Sequence, residues 1–166
     1  ENMLKNRSDD DALIFRCEDR ISETLSFAEL YNQVSKTVQY LKELGVTKGD
    51  RVAGFLPNFA GSIVAMLATA SVGAIWSSCS PDFGEQGVID RFGQIEPKVL
   101  FCVDGYFYNG KLHNCLGKIK SFIARLPTLK QVVIFDYVSS DNISVNNSIL
   151  YQEIVDKYEP KEIDFE

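Results

Sequence analysis

Two stretches carry residue types that suit ligand chemistry. The first is Ser78-Cys79-Ser80-Pro81-Asp82-Phe83-Gly84-Glu85, where an apolar run ends and a helical pattern begins. Ser80 or Asp82 suits the cap of that helix and Pro81 its first turn, while Glu85, three residues after Asp82, suits a capping box. Capping accounts for each residue type without a ligand. The alternative is that free amides at this helix end hold a polar or phosphorylated ligand, with Asp82 opposing direct phosphate contact. The second stretch, Gly105-Tyr106-Phe107-Tyr108-Asn109-Gly110-Lys111-Leu112, nearly spells the phosphate loop G-x-x-x-x-G-K-[ST]. It departs at Leu112, which lacks the hydroxyl that would bind Mg²⁺, and its bulky side chains crowd a phosphate nest. Lys111 is then either an exposed point charge for an anion or a solvated lysine at a helix start.

Other reactive types are scattered. His113 falls in the same expected helix start and lacks the partners of a triad or a metal site, which makes it a surface or packing histidine. Cys17, Cys79, Cys102 and Cys115 show neither a C-x-x-C pair nor zinc spacing. They read as buried or inert thiols in a reducing compartment, and no secretory leader precedes them, so a cytosolic location is expected. Without such a leader the sequons at Asn6, Asn142 and Asn146 carry no weight. Glu18-Asp19 and Asp9-Asp10-Asp11 lie in polar turns and are expected to be solvated. No catalytic set and no metal site emerges.

In open parallel α/β sheets ligands bind beyond the carboxyl ends of the strands, so the order of elements decides which loops can meet. Residues 12–17 read as a strand and 18–23 as a turn. A capping box, Ser26-Phe27-Ala28-Glu29, then opens a helix that carries Leu30, Val34, Val38 and Leu41 and stops at Gly45. Strands over 51–56, 74–79, 98–103 and 131–135 alternate with helices over 59–72, about 83–95 and 112–126. Strands that are continuous apolar runs between helices predict an α/β fold of mainly parallel βαβ units, covered on both faces. An unfinished sheet of this kind would leave an edge and apolar surface open. Beyond Asp136 a polar loop over 139–148, a helical pattern over 149–157 and a frayed end at Pro160 to Glu166 make 139–166 a weakly structured end.

Composition excludes several classes. The chain has 166 residues, of single-domain size, and its 45% apolar and 11% aromatic content supplies a core that a disordered chain would lack. A net charge of −6 with unclustered basic residues argues against a nucleic-acid partner. The longest apolar run, 62–75, is interrupted by Thr69, Ser71 and Gly73 and falls short of the ~18 residues of a membrane span.

Leu25 to Leu30, Leu44 to Val52 and Met66 to Ile75 resemble, in order and spacing, the early motifs of the acyl-adenylating superfamily. Within it, Gly73 to Gly84, Asp90-Arg91-Phe92, Gln94 to Lys98 and Tyr108 to Lys111 are similar to the acetoacetyl-CoA synthetase branch. The resemblance implies that 1–166 is part of the large amino-terminal domain of an AMP-forming acetoacetate–CoA ligase. The intact enzyme would use ATP, Mg²⁺, acetoacetate and CoA. The phosphate-clamping loop, the adenine, ribose and Mg²⁺ motifs and the carboxy-terminal domain are not in these residues, so no catalytic residue is assigned and the chain alone is expected to be inactive. In related acetyl-CoA synthetases the turn matching Ser80, Pro81, Asp82 and Phe83 lies along CoA, and a basic position matching Lys111 faces its phosphates. Here Pro81 and Asp82 stand where those enzymes have glycines, Lys111 replaces arginine, and Tyr108 occupies a further basic position. The other reading is a truncated α/β binding or interaction module without catalysis.

Overall fold

Val52 to Phe55, Val99 to Val103 and Val132 to Phe135 are apolar at successive positions and almost wholly buried, which requires a sheet covered on both faces. The computed structural model describes residues 2–18, 20–139 and 143–166; the expectations for Asp19 and Asn142 lie outside them. Its elements are β1 (Asp11–Cys17), β2 (Ile21–Ser26), α1 (Phe27–Glu43), β3 (Arg51–Phe55), α2 (Ala60–Ser71), β4 (Ile75–Cys79) and α3 (Glu85–Ile95). Then follow β5 (Val99–Val103), β6 (Gly105–Tyr108), β7 (Lys111–Asn114), α4 (Leu116–Ile123), β8 (Gln131–Phe135), β9 (Ser148–Leu150) and α5 (Tyr151–Lys157).

Five strands form one parallel sheet in the order β4-β3-β5-β8-β9; four of them are the expected strands over 51–56, 74–79, 98–103 and 131–135, whereas β9 falls where the sequence predicts a polar loop and a helical pattern, and the expected strand over 12–17 pairs outside this sheet. Phe55 lies opposite Cys102 whereas Phe135 lies opposite Val103. Alternation of side chains therefore puts their ring partners on opposite faces: Phe122 of α4 at 5.2 Å from Phe55, and Tyr151 of α5 at 4.3 Å from Phe135. Helices α1, α2 and α5 cluster on the Phe135 face, and α3 packs with α4 on the Phe55 face. Edge strand β4 leaves Ile75 exposed. At the amino-terminal edge of the sheet, Lys98 bridges Asp50 at 2.5 Å and donates to the Gly45 carbonyl.

Local chemistry explains the boundaries. Ser26 caps α1 as expected, accepting from the Glu29 amide at 3.2 Å while Glu29 accepts from the Ser26 amide at 2.8 Å. Several expectations change. The turn over 18–23 contains the start of β2, which pairs antiparallel with β1; Ser22, Glu23 and Thr24 interrupt its apolar residues and hide the strand. Residues 105–114 form the antiparallel hairpin β6–β7, and α4 starts at Leu116 and not at Leu112. The hairpin turn is Asn109-Gly110, both with positive φ (51° and 73°), the pair that suits a two-residue hairpin turn. Helix α3 begins after Gly84 with no side-chain cap, so neither Ser80 nor Asp82 caps it.

The carboxyl-terminal segment is irregular but docked rather than frayed. Ile163 is buried. Ser35 Oγ donates to the Lys161 carbonyl at 2.6 Å and accepts from its amide at 2.8 Å, and the Ile163 amide donates to Tyr31 Oη at 3.0 Å. Arg7 grips Glu162 with two hydrogen bonds (3.0 and 2.8 Å) and stacks over Tyr31. Polar groups do the docking, which is why an apolar pattern does not reveal it.

Gly54 is needed for close approach: a Cβ there would lie 2.6 Å from the Trp76 ring. Gly54→Ala should therefore displace Trp76 and destabilise the fold by about 1–3 kcal/mol, the usual range for overpacking. A shift of the urea midpoint at constant slope is the measurement.

Candidate functional site

The carboxyl ends of β3 and β4 and the hairpin that follows β5 converge on one cavity of about 380 Å³. Leu56, Pro57 and Asn58 continue β3 into it, and Ser78 to Asp82 supply the end of β4 and the turn after it. Tyr106, Phe107 and Tyr108 of β6, Phe15, Arg16 and Cys17 of β1, and Tyr137 complete the lining. This is the crevice that the topology of a parallel sheet predicts for a ligand.

The turn is fixed by hydrogen bonds within and around it. Phe83 donates its amide to the Ser80 carbonyl at 3.1 Å, and Ser80 Oγ donates to Asp82 Oδ2 at 2.8 Å. Tyr106 Oη donates to Asp82 Oδ1 at 2.5 Å, joining turn to hairpin. From α4, Lys118 Nζ donates to the carbonyls of Pro81 (2.8 Å) and Phe83 (3.0 Å) and lies 5.6 Å from the centre of the Phe55 ring. On the far side, the Glu18 carboxylate accepts from the amides of Asn109 (2.6 Å) and Gly110 (2.8 Å). Arg20 donates to the Gly110 carbonyl at 3.3 Å and stacks on Phe107.

These contacts decide the second candidate stretch. Amides that would have to face a phosphate in a nucleotide loop are already bonded to Glu18, so the segment is a latched hairpin and no phosphate nest. Glu18 is correspondingly a structural acceptor and not merely a solvated charge. Lys111 and His113 lie on β7, not at a helix start. His113 stacks on Tyr106 with ring centres 5.0 Å apart, a packing role. Among the described residues no group of His, Cys, Asp and Glu could hold a metal ion.

Ser80, Pro81 and Asp82 thus reach the cavity, whereas Phe83 and Lys111 stand outside its lining. Phe83 is partly exposed beneath the Arg91 guanidinium, and Lys111 pairs across the hairpin with Tyr108. Sequence reasoning missed the contribution of β1 and the two fixing residues, Lys118 and Glu18. The Asn109-Gly110 dipeptide was the available sign of the hairpin; Lys118 bonds only to backbone carbonyls and leaves no sign in the sequence. Cys79, Cys102 and Cys115 are buried and free, as read. Burial pushes the thiols of Cys79 up to about 11 and Cys115 up to about 12, and raises Cys102 well above the usual range, so none is poised as a nucleophile.

Residues 1–162 match the model of the family described as AMP-binding enzyme. The acetoacetyl-coenzyme A synthetase of Rhizobium meliloti is 55% identical over 121 residues, covering 73% of this chain and 19% of that protein. For the acetoacetyl-CoA synthetase of Gallus gallus the identity is 44% over 161 residues, covering 93% of this chain and 24% of that protein. The solved structure of acetoacetyl-CoA synthetase from Streptomyces lividans superposes with a TM-score of 0.92 at 38% identity, over 99% of this chain and 25% of that one. The chain therefore spans a quarter or less of the length of these relatives.

The turn has its own acid signature. Hydrogen bonds from Tyr106 first, then Ser80, hold the Asp82 carboxyl below the usual carboxylate range. Because the folded value is the lower one, the contact contributes stability above the unfolded value of about 3.9, and loses it as pH falls through the folded value. Carbon NMR titration should show the Asp82 midpoint rising toward about 3.9 in Tyr106→Phe. An unmoved midpoint would assign the depression to Ser80.

Proposed function

Because the chain belongs to the AMP-binding enzyme family, we propose that it forms part of the large amino-terminal domain of an AMP-forming acetoacetate–CoA ligase. The observation that carries the substrate assignment is the run of acetoacetyl-CoA synthetases that it resembles at 40–55% identity over most of its length. In that reading the chain supplies the parallel sheet and the CoA-side wall of the active site. Ser80, Pro81 and Asp82 line the crevice at the carboxyl edge of the sheet, and Phe83 and Lys111 flank it as CoA contacts.

The residues present fit CoA better than they fit the other components. A crevice walled by a rigid turn and an aromatic hairpin suits a long polar ligand lying along the sheet edge. ATP phosphates find no free amide nest in the hairpin, and in this reading ATP and Mg²⁺ are held by other parts of the ligase. When bound there, ATP supplies the adenylyl group and CoA the thiol that accepts the acyl group. The residues of this chain hold and orient the CoA side. The reading places the enzyme in the cytosol. A non-catalytic interaction module has no observation in its favour.

Replacing the matching segment of the Streptomyces lividans acetoacetyl-CoA synthetase with this chain should preserve AMP release that depends on acetoacetate and CoA. In that chimera Lys111→Ala should raise the KM for CoA about two- to fivefold, the scale of one exposed ion pair, and leave that for acetoacetate unchanged. A folded chimera that is inactive beside an active parent counts against the reading. So does acetoacetate-dependent AMP release from the 166 residues alone.

A further inference from the structure

Each wall of the cavity is held from behind by a charged side chain that does not line it, with Arg20 adding a contact to the hairpin turn beside Glu18. Lys118 takes two carbonyls of the turn, Pro81 and Phe83, on either side of Asp82. Glu18 takes both amides of the hairpin turn, Asn109 and Gly110. The Tyr106–Asp82 hydrogen bond then joins wall to wall. Neither Lys118 nor Glu18 is among the cavity residues.

The place of Lys118 is costly for helix formation alone. It sits in the first turn of α4, where the aligned peptide dipoles disfavour a cation. Its two carbonyl bonds and its position near the Phe55 ring supply what the helix end does not. Glu18 likewise has a left-handed backbone, with φ of 46°, a conformation that non-glycine residues adopt at a cost. Both residues therefore give up local preference to hold a neighbouring segment.

We infer that Lys118 and Glu18 are positioning residues for the CoA-side wall, setting the gap between turn and hairpin before ligand enters. This rests on the reading of the cavity as CoA-facing. With Lys118 bonded to Pro81 and Phe83, the Asp82 side chain is directed to Tyr106 and the turn cannot swing into the crevice. With Glu18 bonded to both turn amides, Tyr106, Phe107 and Tyr108 keep one register toward the ligand. Pre-setting both walls removes the ordering that a mobile loop would undergo on binding.

The test is calorimetric titration of CoA into the chimera described above, carrying the wild-type segment or the variants Lys118→Met, Lys118→Arg, Glu18→Gln and Lys98→Met. Lys98 lies at the opposite edge of the sheet, so its variant lowers stability without touching either wall. Wild type should bind saturably, and Lys118→Met and Glu18→Gln should bind about three- to tenfold more weakly, the scale of re-ordering one freed segment. Lys118→Arg, which still reaches both carbonyls, should recover most of the affinity, and Lys98→Met should keep it despite a lower melting temperature. Wild-type binding with unchanged affinity in Lys118→Met and Glu18→Gln would overturn the positioning role and leave the CoA reading intact. Equal weakening in Lys98→Met would reduce that role to general stability and overturn it as well. A folded chimera with the wild-type segment that fails to bind CoA, beside a Streptomyces lividans parent that does, would instead overturn the CoA reading itself. Should Lys118→Met fail to fold, the Lys118→Arg and Glu18→Gln titrations decide the same question.

Discussion

Asp104 has none of its surface in water, and the geometry of the carboxyl edge depends on where its polar groups go. Its Oδ1 accepts from the amides of Tyr137 (2.8 Å) and Val138 (3.0 Å), just past β8. Its carbonyl accepts from the Cys115 amide at 2.8 Å, at the base of the hairpin, and its own amide donates to the Phe135 carbonyl. A buried polar group left without a hydrogen-bond partner would cost about 1–3 kcal/mol, so these segments are bound to one point. Three features follow from it. Tyr137 is brought to the cavity, the hairpin leaves β5 at a fixed angle, and α4 starts where Lys118 can reach the turn.

The same edge shows how a glycine-poor turn can be held in one conformation. Proline at position 81 restricts one torsion, and the carbonyls on either side of Asp82 are held by an ammonium group. Backbone freedom is replaced by backbone fixation. The hairpin follows a different rule: its turn residues have the positive torsions of a two-residue hairpin, and a carboxylate occupies the amides that this geometry leaves bare. Between them a single phenol–carboxylate bond spans the gap. The wall is therefore a set of short-range hydrogen bonds standing on a sheet whose own strength is hydrophobic.

Strands β5 and β8 were legible because they are apolar runs that only a doubly covered parallel sheet can bury, whereas β9 was hidden in a polar stretch. The opening of α1 was legible because Ser26 and Glu29 meet the start of the helix in a known reciprocal pattern. The hairpin was not, since Leu112 and Leu116 continue a helical spacing that the turn at Asn109-Gly110 overrides. Strand β2 was obscured by Ser22, Glu23 and Thr24, which make it a half-exposed ribbon. At the candidate site, the carboxyl-edge rule pointed to Ser80 to Asp82, which line the cavity. It could not identify Lys118 or Glu18, because a side chain that binds backbone carbonyls or amides leaves its partner's residue type unconstrained.

The docked carboxyl-terminal segment bears on the order in which the chain assembles. Arg7 and Glu162 are separated by 155 positions along the sequence, so their meeting closes a loop that includes nearly the whole chain. The entropy of such closure grows only slowly with length, but nothing repays it until a surface exists to receive the segment. That surface is helical: Tyr31 and Ser35 offer their hydroxyls side by side only when the intervening turn of α1 has formed. The two segments therefore join only once α1 has formed.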